Sequence, residues 1–497
     1  MTSRILHEMT AGKSFQHLPL PILEEIYPRA LVCQVLDQVG GWERRERKLN
    51  HVFMVYLLIA WTISPLMALK QVQAQLISAL RWLSPVEPAR PPGASALCYR
   101  RWRLGVSPLR LLMRLACQPL CQPETPGAFL FGRRLIAIDS KLINVAESAD
   151  NDWTFRGRTR DDQPRHKSPF PQLRLVWALE IGSHAHLGAV LAAGYRSEMS
   201  LVQDLLSFLP AGSLVLQDAG FRGAWWMQPL VQHGHHSITR IQANDYPCKG
   251  PRLADGSYLV QTRGSWDAPL KEPLTLRIIE YRLSPELAEP LSQMQKSRMH
   301  SGLRPVSTAD QVSRLATTLL DPIEAPALEM AACYHERWEL ELVYDELQEH
   351  QLSTPHLLSK TSMGVMQEGW AMLLGHYAVR AWMMQSACEP EPLDVDRLSF
   401  TQALCVLGTA LTLSEPLSKE PKERWKPRLL QDLRQPESRL APRRLRCSPR
   451  VVKLARTRFF AKKEKDVPFV FPDQTKTWKD FVLLLHSSES NEQVLLI

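Results

Sequence analysis

The spacing of apolar residues divides the chain into a helical N-terminal part, a strand-rich middle and a helical C-terminal part. Up to about residue 118, apolar positions recur with the period of an α-helix, and this period returns near residue 326. Two further helices are predicted within the middle part. The predicted helices cover residues 21–38, 70–83, 99–115, 197–209, 225–233, 326–349, 362–386 and 400–413, with another apolar helix beginning at Val52.

Between these helical parts, short apolar or alternating runs are typical of β-strands. The predicted strands cover residues 135–139, 172–180, 186–193, 213–218, 237–242, 258–262, 274–283 and 313–320. The pattern therefore predicts an α/β fold with a sheet-based core. The predicted domains are a helical N-terminal domain (1–118), a strand-containing domain (128–350) with further strands at about 246–320, a helical C-terminal domain (351–418) and a basic tail (419–497).

Two apolar runs of the middle part end in an acid. Asp139 follows the run 135–138, and Asp218 follows the run 214–217. The end of a strand in an α/β sheet can present a polar group to solvent while the strand stays buried, so both acids are candidate site residues. A turn or helix-capping role is the alternative interpretation, because strand-terminal aspartates often serve that purpose.

A third acid lies on the helix predicted over 326–349. At about 100° per residue, Tyr334, Arg337, Glu341 and Gln348 share one narrow stripe. An adjacent apolar stripe contains Leu340, Val343, Tyr344 and Leu347, whereas Glu339 and Glu346 are predicted to point elsewhere. Glu341 is thus expected at the border of the buried face, where it could approach Asp139 and Asp218. An ordinary amphipathic surface helix remains the alternative.

Three converging carboxylates would suit two Mg²⁺ or Mn²⁺ ions, which prefer oxygen ligands. Two such ions about 4 Å apart can activate a water or a 3′ hydroxyl and stabilise the leaving oxygen of a phosphodiester. Asp139, Asp218 and Glu341 are therefore predicted to bind metal and to be catalytic. Arg337 could hold a phosphate through a bidentate contact, and Tyr334 could stack on a base or a sugar.

Charge and hydropathy add two features to this pattern. The net charge of +9 is concentrated between Lys419 and Lys465, where 17 basic residues face 5 acidic ones. Such a segment is typical of contact with a polyanion, although a solvated tail remains possible. The uncharged run 52–69 raises the alternative of a membrane or scaffold protein, but its length is at the lower limit for a spanning helix and Pro65 interrupts it. No membrane association is therefore predicted.

Several separate motifs now resemble the insertion-sequence-four family of DDE transposases. Tyr334, Arg337 and Glu341 have the spacing of the family's tyrosine–arginine–glutamate signature. LIAIDSK around Asp139 and GSLVLQDAGFRG around Asp218 resemble the segments of its first and second acids. The basic cluster 44–48 with the apolar helix after it resembles the family's N-terminal domain, and CSPRVVK at 447–453 resembles its basic C-terminal motif.

The resemblance implies that residues 1–118 are a DNA-binding domain and that residues 128–350 are an RNase H-like mixed-sheet catalytic domain, with a β-rich insertion at about 246–320 before the third acid. It also implies cut-and-paste transposition, in which a homodimer binds double-stranded DNA at inverted-repeat ends, cleaves it with Mg²⁺ or Mn²⁺ and joins the 3′ ends to target DNA. We expect a cytoplasmic bacterial protein that is nucleoid-associated when bound. Besides the signature residues Tyr334, Arg337 and Gln348, the candidate DNA-binding residues are Arg44, Arg45, Arg47, Lys48, Arg240, Arg443, Arg444, Arg450 and Lys453.

The sequence departs from the family pattern at two places. The signature has a lysine seven residues after its glutamate, where this chain has Gln348, and the small pair after the first acid is replaced by Ser140-Lys141. Loss of one cation would weaken DNA binding and reduce its salt dependence without removing the metal ligands. A catalytically decayed, sequence-specific DNA-binding protein derived from a transposase is therefore the alternative, although all three acids are retained.

Overall fold

A computed structural model of the chain divides into two compact units. Unit 1 comprises residues 1–128, 138–210 and 339–440, and unit 2 comprises residues 129–137, 211–338 and 441–497. The structure describes residues 20–43, 49–64, 67–78, 92–157, 168–248, 250–265, 268–286, 312–352, 354–389, 391–413, 420–441, 446–447, 469–470 and 476–485.

Most of the α-helices lie in unit 1. The helices are α1 (Pro21–Glu24), α2 (Arg29–Gln38), α3 (His51–Ile63), α4 (Leu69–Ser78), α5 (Ala94–Leu104), α6 (Ser107–Ala116), α7 (Ala149–Asn151), α8 (Ala224–Gln232), α9 (Ala327–Tyr334), α10 (Glu339–Asp345), α11 (Ser362–Cys388), α12 (Phe400–Thr412) and α13 (Lys422–Leu433). Of these, only α8 and α9 belong to unit 2.

The strands are shared between the units. They are β1 (Phe129–Leu130), β2 (Arg133–Val145), β3 (Gln172–Glu180), β4 (His186–Ala193), β5 (Leu214–Gln217), β6 (His236–Arg240), β7 (Tyr258–Ser265), β8 (Ala268–Leu283), β9 (Ser313–Thr317), β10 (His356–Leu357), β11 (Arg446–Cys447), β12 (Phe469–Val470) and β13 (Val482–Leu484). The predicted strands of the middle part are thus present, and β3 and β4 have the predicted bounds.

Unit 1 is built around α11, which is buried along nearly its whole length. A helix that is apolar on all sides belongs in a core, and α11 packs against α3, α6, α12 and α13. Gly375 permits the close approach of α3, because a Cβ atom there would lie 2.1 Å from the Thr62 hydroxyl. On the β side of unit 1, β3 and β4 pair as an antiparallel hairpin, with Leu173 opposite Ala193.

Unit 2 contains a mixed sheet in the order β13-β8-β9-β6-β5. β5 and β6 are parallel, whereas β6, β9, β8 and β7 form successive antiparallel pairs. All four residues of β5 are buried, which explains the apolar run 214–216 that precedes Gln217. One face of β7–β8 is covered by α8, and Met227, Leu276 and Ile278 belong to the resulting cluster.

The predicted helices at the N-terminus are interrupted. The predicted helix 21–38 is two helices, because Pro28 is the N-cap of α2. The predicted stretch 99–115 begins earlier and is split into α5 and α6 at Gly105, whose φ is +68°. The apolar helix α3 ends at Ile63. Within the described residues, no helix has both the length and the hydropathy that crossing a membrane requires.

Two further predictions were wrong in detail. The predicted helix 197–209 is a pair of 3₁₀ segments, Glu198–Ser200 and Val202–Phe208. The predicted short strand 135–139 is the first half of β2, which continues to Val145. The apolar run stops at Asp139 because both faces of the strand are buried only up to Ile138, whereas hydrogen bonding continues beyond it.

Candidate active site

Asp139 lies within β2, in the part that belongs to unit 1. Leu135, Ile136, Ala137 and Ile138 are buried, and Asp139 is the first half-buried residue after them. The prediction that Asp139 ends its strand is therefore wrong, but it does lie where the buried run gives way to accessible positions. One of its carboxylate oxygens, Oδ1, accepts the backbone N–H of Ser140 at 2.7 Å.

The helix that carries Glu341 packs onto the residues that follow Asp139. Tyr344 of α10 donates its hydroxyl to the Ser140 carbonyl at 3.4 Å, and its ring lies 4.5 Å from the Lys141 ammonium. Trp177 of β3 contacts the same ring at a centroid distance of 5.1 Å. Within unit 1, these contacts bring the segments of the first and third predicted acids together.

The segment around Glu341 is not one regular helix. It consists of α9, a 3₁₀ turn (His335–Trp338), α10 and a π-helical segment (Glu346–Gln351). The predicted stripe assumed a constant 100° per residue, so it does not extend from Tyr334 to Gln348. Glu341 is exposed rather than at the border of the buried face, whereas the predicted apolar positions Leu340, Val343 and Leu347 are buried.

Glu339 and Glu346 were expected to point elsewhere, but both are buried in an ionic network of unit 1. Glu346 accepts hydrogen bonds from Arg380 Nε at 3.0 Å and His376 Nε2 at 2.9 Å, and it contacts a second Arg380 nitrogen. Burial would raise the pKa of Glu346, but Arg380 and the histidine hydrogen bonds outweigh it and hold that pKa well below its ordinary value. Burial lowers the pKa of His376 to about 4.

This network was not predicted from the sequence, although a signal was present. His376 and Arg380 are spaced four residues apart within a largely apolar stretch of α11, so they share a buried face. Charged groups in such positions need partners, because an unpaired buried charge is strongly unfavourable. The network thereby attaches both ends of α10 to the core, with Glu339 at its start and Glu346 just after it.

His184, Glu339 and Asp396 form the one group of described residues that meets a geometric requirement for metal binding, with ligand atoms within 4.8 Å of one another. Arg380 contacts Nδ1 of His184, which leaves Nε2 to carry the proton that is donated to Glu339 at 3.0 Å. A metal ion would need the lone pair of that same nitrogen and would lie near a guanidinium. We therefore interpret this group as part of the ionic network.

Asp218 follows β5 in unit 2, as predicted. It is the N-cap of a 3₁₀ turn (Ala219–Phe221), and its Oδ1 accepts the Gly220 N–H at 2.8 Å. The capping role considered for strand-terminal aspartates is thus real for one oxygen. Its other oxygen, Oδ2, forms no hydrogen bond with the described residues, so this oxygen can bind a metal ion while Oδ1 caps the turn.

Gln217, the residue before Asp218, is held by three side chains of unit 2. Its amide donates to Thr239 at 2.7 Å and accepts from the Trp226 indole at 2.8 Å, and its carbonyl accepts the Tyr334 hydroxyl at 3.2 Å. All four residues are buried. The backbone at Asp218 is therefore fixed by a satisfied polar cluster, in which Tyr334 has a supporting role.

A cavity of about 810 Å³ lies beside Asp218 in unit 2. Arg240 lines it, and its guanidinium forms no hydrogen bond or ion pair with the described residues, whereas the Arg314 guanidinium is committed to Glu280 and to several backbone carbonyls. Arg337 is buried at the same cavity, with its guanidinium 6.0 Å from the Tyr334 ring centroid. The cavity thus combines a carboxylate with positive charge that can face an anion.

His335 lies next to this basic group. Burial, together with the charges of Arg240 and Arg337, lowers the pKa of His335 to about 3. Its ring stacks on Trp478 at a centroid distance of 3.9 Å. His335 is therefore neutral near pH 7, and it links the arginine side of the cavity to the C-terminal segment that forms β13.

The remaining predicted DNA-binding residues divide into two groups. Gln348 is half-buried in the π-helical segment of unit 1. Eight others lie outside the described residues, so their roles stay predictions: Arg44, Arg45, Arg47, Lys48, Arg443, Arg444, Arg450 and Lys453.

Comparisons with known proteins cover most of the chain. Residues 17–114 match a family described as insertion element 4 transposase N-terminal, and residues 130–376 match a family described as transposase DDE domain. The second range contains Asp139, Asp218 and Glu341.

Two relatives are from Escherichia coli (strain K12). Transposase InsG for insertion sequence element IS4 is 27% identical over 452 residues, covering 88% of this chain and 92% of InsG. Putative transposase InsZ is 26% identical over 140 residues, which are 28% of this chain and 46% of InsZ. A solved piggyBac transposase synaptic complex with hairpin DNA aligns with a TM-score of 0.41 and 12% identity, covering 84% of this chain and 85% of that one.

Proposed function

The chain belongs to the insertion-sequence-four family of DDE transposases and is a DNA transposase with an RNase H-like catalytic core, and we propose that Asp139, Asp218 and Glu341 are its catalytic carboxylates. Its family uses divalent metal ions to cut and join DNA. The alternative of a catalytically decayed DNA-binding protein is not favoured, because all three acids are retained.

The observation that carries this proposal is the setting of Asp218. Its backbone is fixed by the cluster around Gln217, one carboxylate oxygen is outside any hydrogen bond of the described residues, and Arg240 lies at the same cavity. A metal ion bound there and a phosphate beside it would each find a group of opposite charge. This combination of groups supports a role of Asp218 in cleaving a phosphodiester.

The donor set fits Mg²⁺ or Mn²⁺. Asp139, Asp218 and Glu341 offer carboxylate oxygens only, without the sulfur or imidazole ligands that favour zinc. Asp139 is half-buried and Glu341 is exposed, so both differ from the enclosed carboxylates of the ionic network. We propose that these three residues hold two ions, which supply Lewis-acid activation of the attacking water or 3′ hydroxyl.

The protein's own side chains would position the DNA. Arg240 and Arg337 would hold phosphate oxygens, and Arg337 is pre-oriented by burial beside Tyr334. Tyr334 would contribute mainly by fixing the residue before Asp218, since its hydroxyl is committed to Gln217. Gln348 could still donate a hydrogen bond to phosphate, but without the charge of the family's lysine its contact would be weaker.

We further propose that the active form is a homodimer on double-stranded DNA, with its inverted-repeat ends and its target as substrates. The basic stretch 419–465 would add sequence-independent affinity for phosphate. Because the substrate is chromosomal DNA, we place the reaction in the bacterial cytoplasm at the nucleoid.

A strand-cleavage assay tests this function. A plasmid that carries the gene with its own flanking DNA is incubated with purified chain and Mg²⁺. We expect cleavage at the flanks by the native chain and by Asp204→Ala, which removes an exposed acid of unit 1. Asp218→Ala should abolish it. Cleavage that persists in Asp218→Ala would exclude Asp218 from the mechanism, and DNA binding without cleavage by the native chain would favour the decayed protein.

A further inference from the structure

Helix α5 presents its large aromatic side chains to solvent. Tyr99 and Trp102 are 56% and 59% exposed, and their ring centroids lie 6.0 Å apart. Ser95 and Arg103 are also exposed and fall on the same stripe at 100° per residue. Two adjacent aromatic rings on one accessible helix face form an apolar patch, and such patches are typical of contact surfaces.

The opposite face of α5 is anchored by arginines rather than by apolar residues alone. Arg101 donates to the Ser359 hydroxyl, the Gly364 carbonyl and the Gln367 side chain at 3.1–3.2 Å. Arg100 donates to the Leu49 carbonyl at 2.7 Å and pairs with Glu43. Leu97 and Leu104 are buried beside them.

This anchoring fixes the rotation of α5 about its axis. The usual amphipathic order is thus partly reversed, because Arg100 and Arg101 lie on the inner face beside the two leucines, whereas Tyr99 and Trp102 lie on the outer face. A slight rotation cannot bury Tyr99 and Trp102, because it would break the hydrogen bonds of Arg101. Tyr99 and Trp102 are therefore fixed in exposed positions. Because they are already ordered, binding a partner would cost little conformational entropy.

The charge around α5 indicates what this partner is. No acidic residue occurs between positions 88 and 123, a segment that contains six arginines. Arg103 and Arg110 are exposed, and neither guanidinium forms an ion pair or hydrogen bond with residues that the structure describes. A surface of this composition complements an anion and would repel another copy of itself across a twofold axis, where Arg103 would face Arg103.

We propose that the outer face of α5 is a contact surface for duplex DNA, a role that rests on the proposed function. Trp102 and Tyr99 pack against deoxyribose and the groove edge, and Arg103 pairs with a phosphate. The rings are 6.0 Å apart and tilted by 32°, which is too close for a base to insert between them. The contact is therefore with the outside of the duplex and needs no particular sequence.

Binding of the full-length chain to a short fluorescein-labelled duplex of arbitrary sequence, without divalent metal, tests this surface. Trp102→Ala and Tyr99→Ala should each weaken binding about tenfold at constant salt. The matched control is Trp153→Ala, since Trp153 is 70% exposed but lies beside Asp150 and Asp152. Native affinity in both aromatic variants, or an equal loss in Trp153→Ala, would overturn the proposal.

Arg103→Gln separates the charged contact from the aromatic one. Loss of one phosphate contact should reduce the slope of log affinity against log salt by about 0.9, whereas Trp102→Ala should leave that slope unchanged. An unchanged slope in Arg103→Gln would contradict the phosphate contact. All of these side chains are exposed, and equal thermal unfolding of variants and native chain checks that folding is intact.

Cys98 allows a measurement without any variant at this face. Cys98, Cys388 and Cys405 are exposed cysteines of unit 1, and Cys98 precedes Tyr99. The duplex should slow maleimide labelling of Cys98, read by peptide mass spectrometry, and leave Cys388 and Cys405 as internal references. Equal labelling of Cys98 with and without the duplex would overturn the proposal.

Other occupants and the proposed function are distinguished by two further readouts. Dissociation of a DNA-free dimer by Trp102→Ala, with unchanged duplex affinity, would assign the face to a second copy of the chain and overturn the DNA contact. If vesicles with anionic lipid slow the labelling of Cys98 and the duplex does not, the outer face of α5 would be assigned to a membrane. If the native chain cleaves its flanking DNA and the α5 variants bind duplex as the native chain does, the DNA contact of α5 would be overturned while the proposed function would stand.

Discussion

Three glutamates on or directly after α10 have different roles: Glu339, Glu341 and Glu346. Glu341 is exposed, whereas Glu339 and Glu346 are 8% and 4% exposed and bind His184, His376 and Arg380. The ionic network thus holds α10 from inside and leaves Glu341 accessible. The helical period could place the apolar residues of this helix, but it could not separate the anchoring acids from the accessible one, because the 3₁₀ and π-helical segments change the angle per residue.

Substitution of Glu341 should separate cleavage from binding. Glu341→Gln removes the charge that a metal ligand needs but keeps the shape of an exposed side chain. We expect cleavage of flanking DNA to be lost and duplex affinity to change less than about threefold, within the small effects typical of surface substitutions. A fall in affinity as large as the fall in cleavage would show that Glu341 binds DNA instead.

Removal of Arg380 should destabilise the protein through Glu346. Arg380→Met leaves the Glu346 carboxylate buried without its guanidinium, which costs about 3–5 kcal/mol of unfolding free energy. The double variant Arg380→Met/Glu346→Gln removes both charges and should recover part of that loss. Urea unfolding measures both. A double variant that is no more stable than Arg380→Met would contradict this account of the network.

Acid should destabilise the protein through its buried histidines. The pKa of His335 is lowered to about 3 and that of His376 to about 4, so the unfolded chain takes up protons below about pH 6.5 that the folded chain does not. Each histidine should then remove ~1.4 kcal/mol per pH unit as the pH falls from about 6.5 towards its folded pKa.

His335→Phe tests this pH dependence without losing the stack on Trp478. The variant lacks the titrating group, so its unfolding free energy should fall less steeply than that of the native chain between about pH 6.5 and 4. Urea unfolding at several pH values gives both slopes. Parallel pH profiles would mean that His335 does not contribute to acid lability.

At the scale of elements, the sequence predicted the helices and strands whose formation depends on the local periodicity of apolar residues. The strands β3, β4 and β5 and the helices α11 and α12 follow directly from their apolar patterns. The C-terminal elements could not be predicted, because α13 and β13 depend on distant partners. α13 lies within the predicted basic tail yet packs on α11 and α12, and β13 pairs with β8 as an edge strand, with Val482 opposite Leu283.

The edge strand β13 should be needed for the stability of unit 2. A chain truncated after residue 475 loses this strand, the Trp478 stack and four buried apolar side chains, Phe481 to Leu484. We expect a loss on the order of 5 kcal/mol in unfolding free energy. A chain truncated after residue 485 is the control. Equal thermal unfolding of the two truncated chains would contradict a structural role for β13.

Substitutions rather than a deletion are therefore required to test how the basic segment 419–465 contributes to the salt dependence of DNA binding. Removing 419–497 would also remove α13 and β13, so lost DNA binding would not report on charge. Changing Arg443, Arg444, Arg450 and Lys453 to glutamine should reduce the salt slope of duplex binding by about 0.9 for each phosphate contact that is lost. An unchanged slope would show that these residues do not contact DNA.

At the scale of the whole molecule, the two units are interleaved along the chain. β2 passes from unit 2 to unit 1 just before Asp139, and the chain returns from unit 2 to unit 1 between Trp338 and Glu339. Asp139 and Glu341 thus belong to unit 1 and Asp218 to unit 2, with the signature arginine Arg337 on the unit 2 side. The family motifs in the sequence suggest the three acids as candidates, but a linear pattern could not show this division between the units.

Asp139, Asp218 and Glu341 are proposed to hold divalent ions jointly on DNA. Electron paramagnetic resonance of Mn²⁺ titrated into the complex of the chain with its flanking DNA counts the bound ions. We expect about two ions for the native chain and for Asp345→Asn, which changes an exposed acid on α10. Asp139→Asn, Asp218→Asn and Glu341→Gln should each bind fewer ions at unchanged DNA affinity. A native count in any of these three variants would contradict the claim.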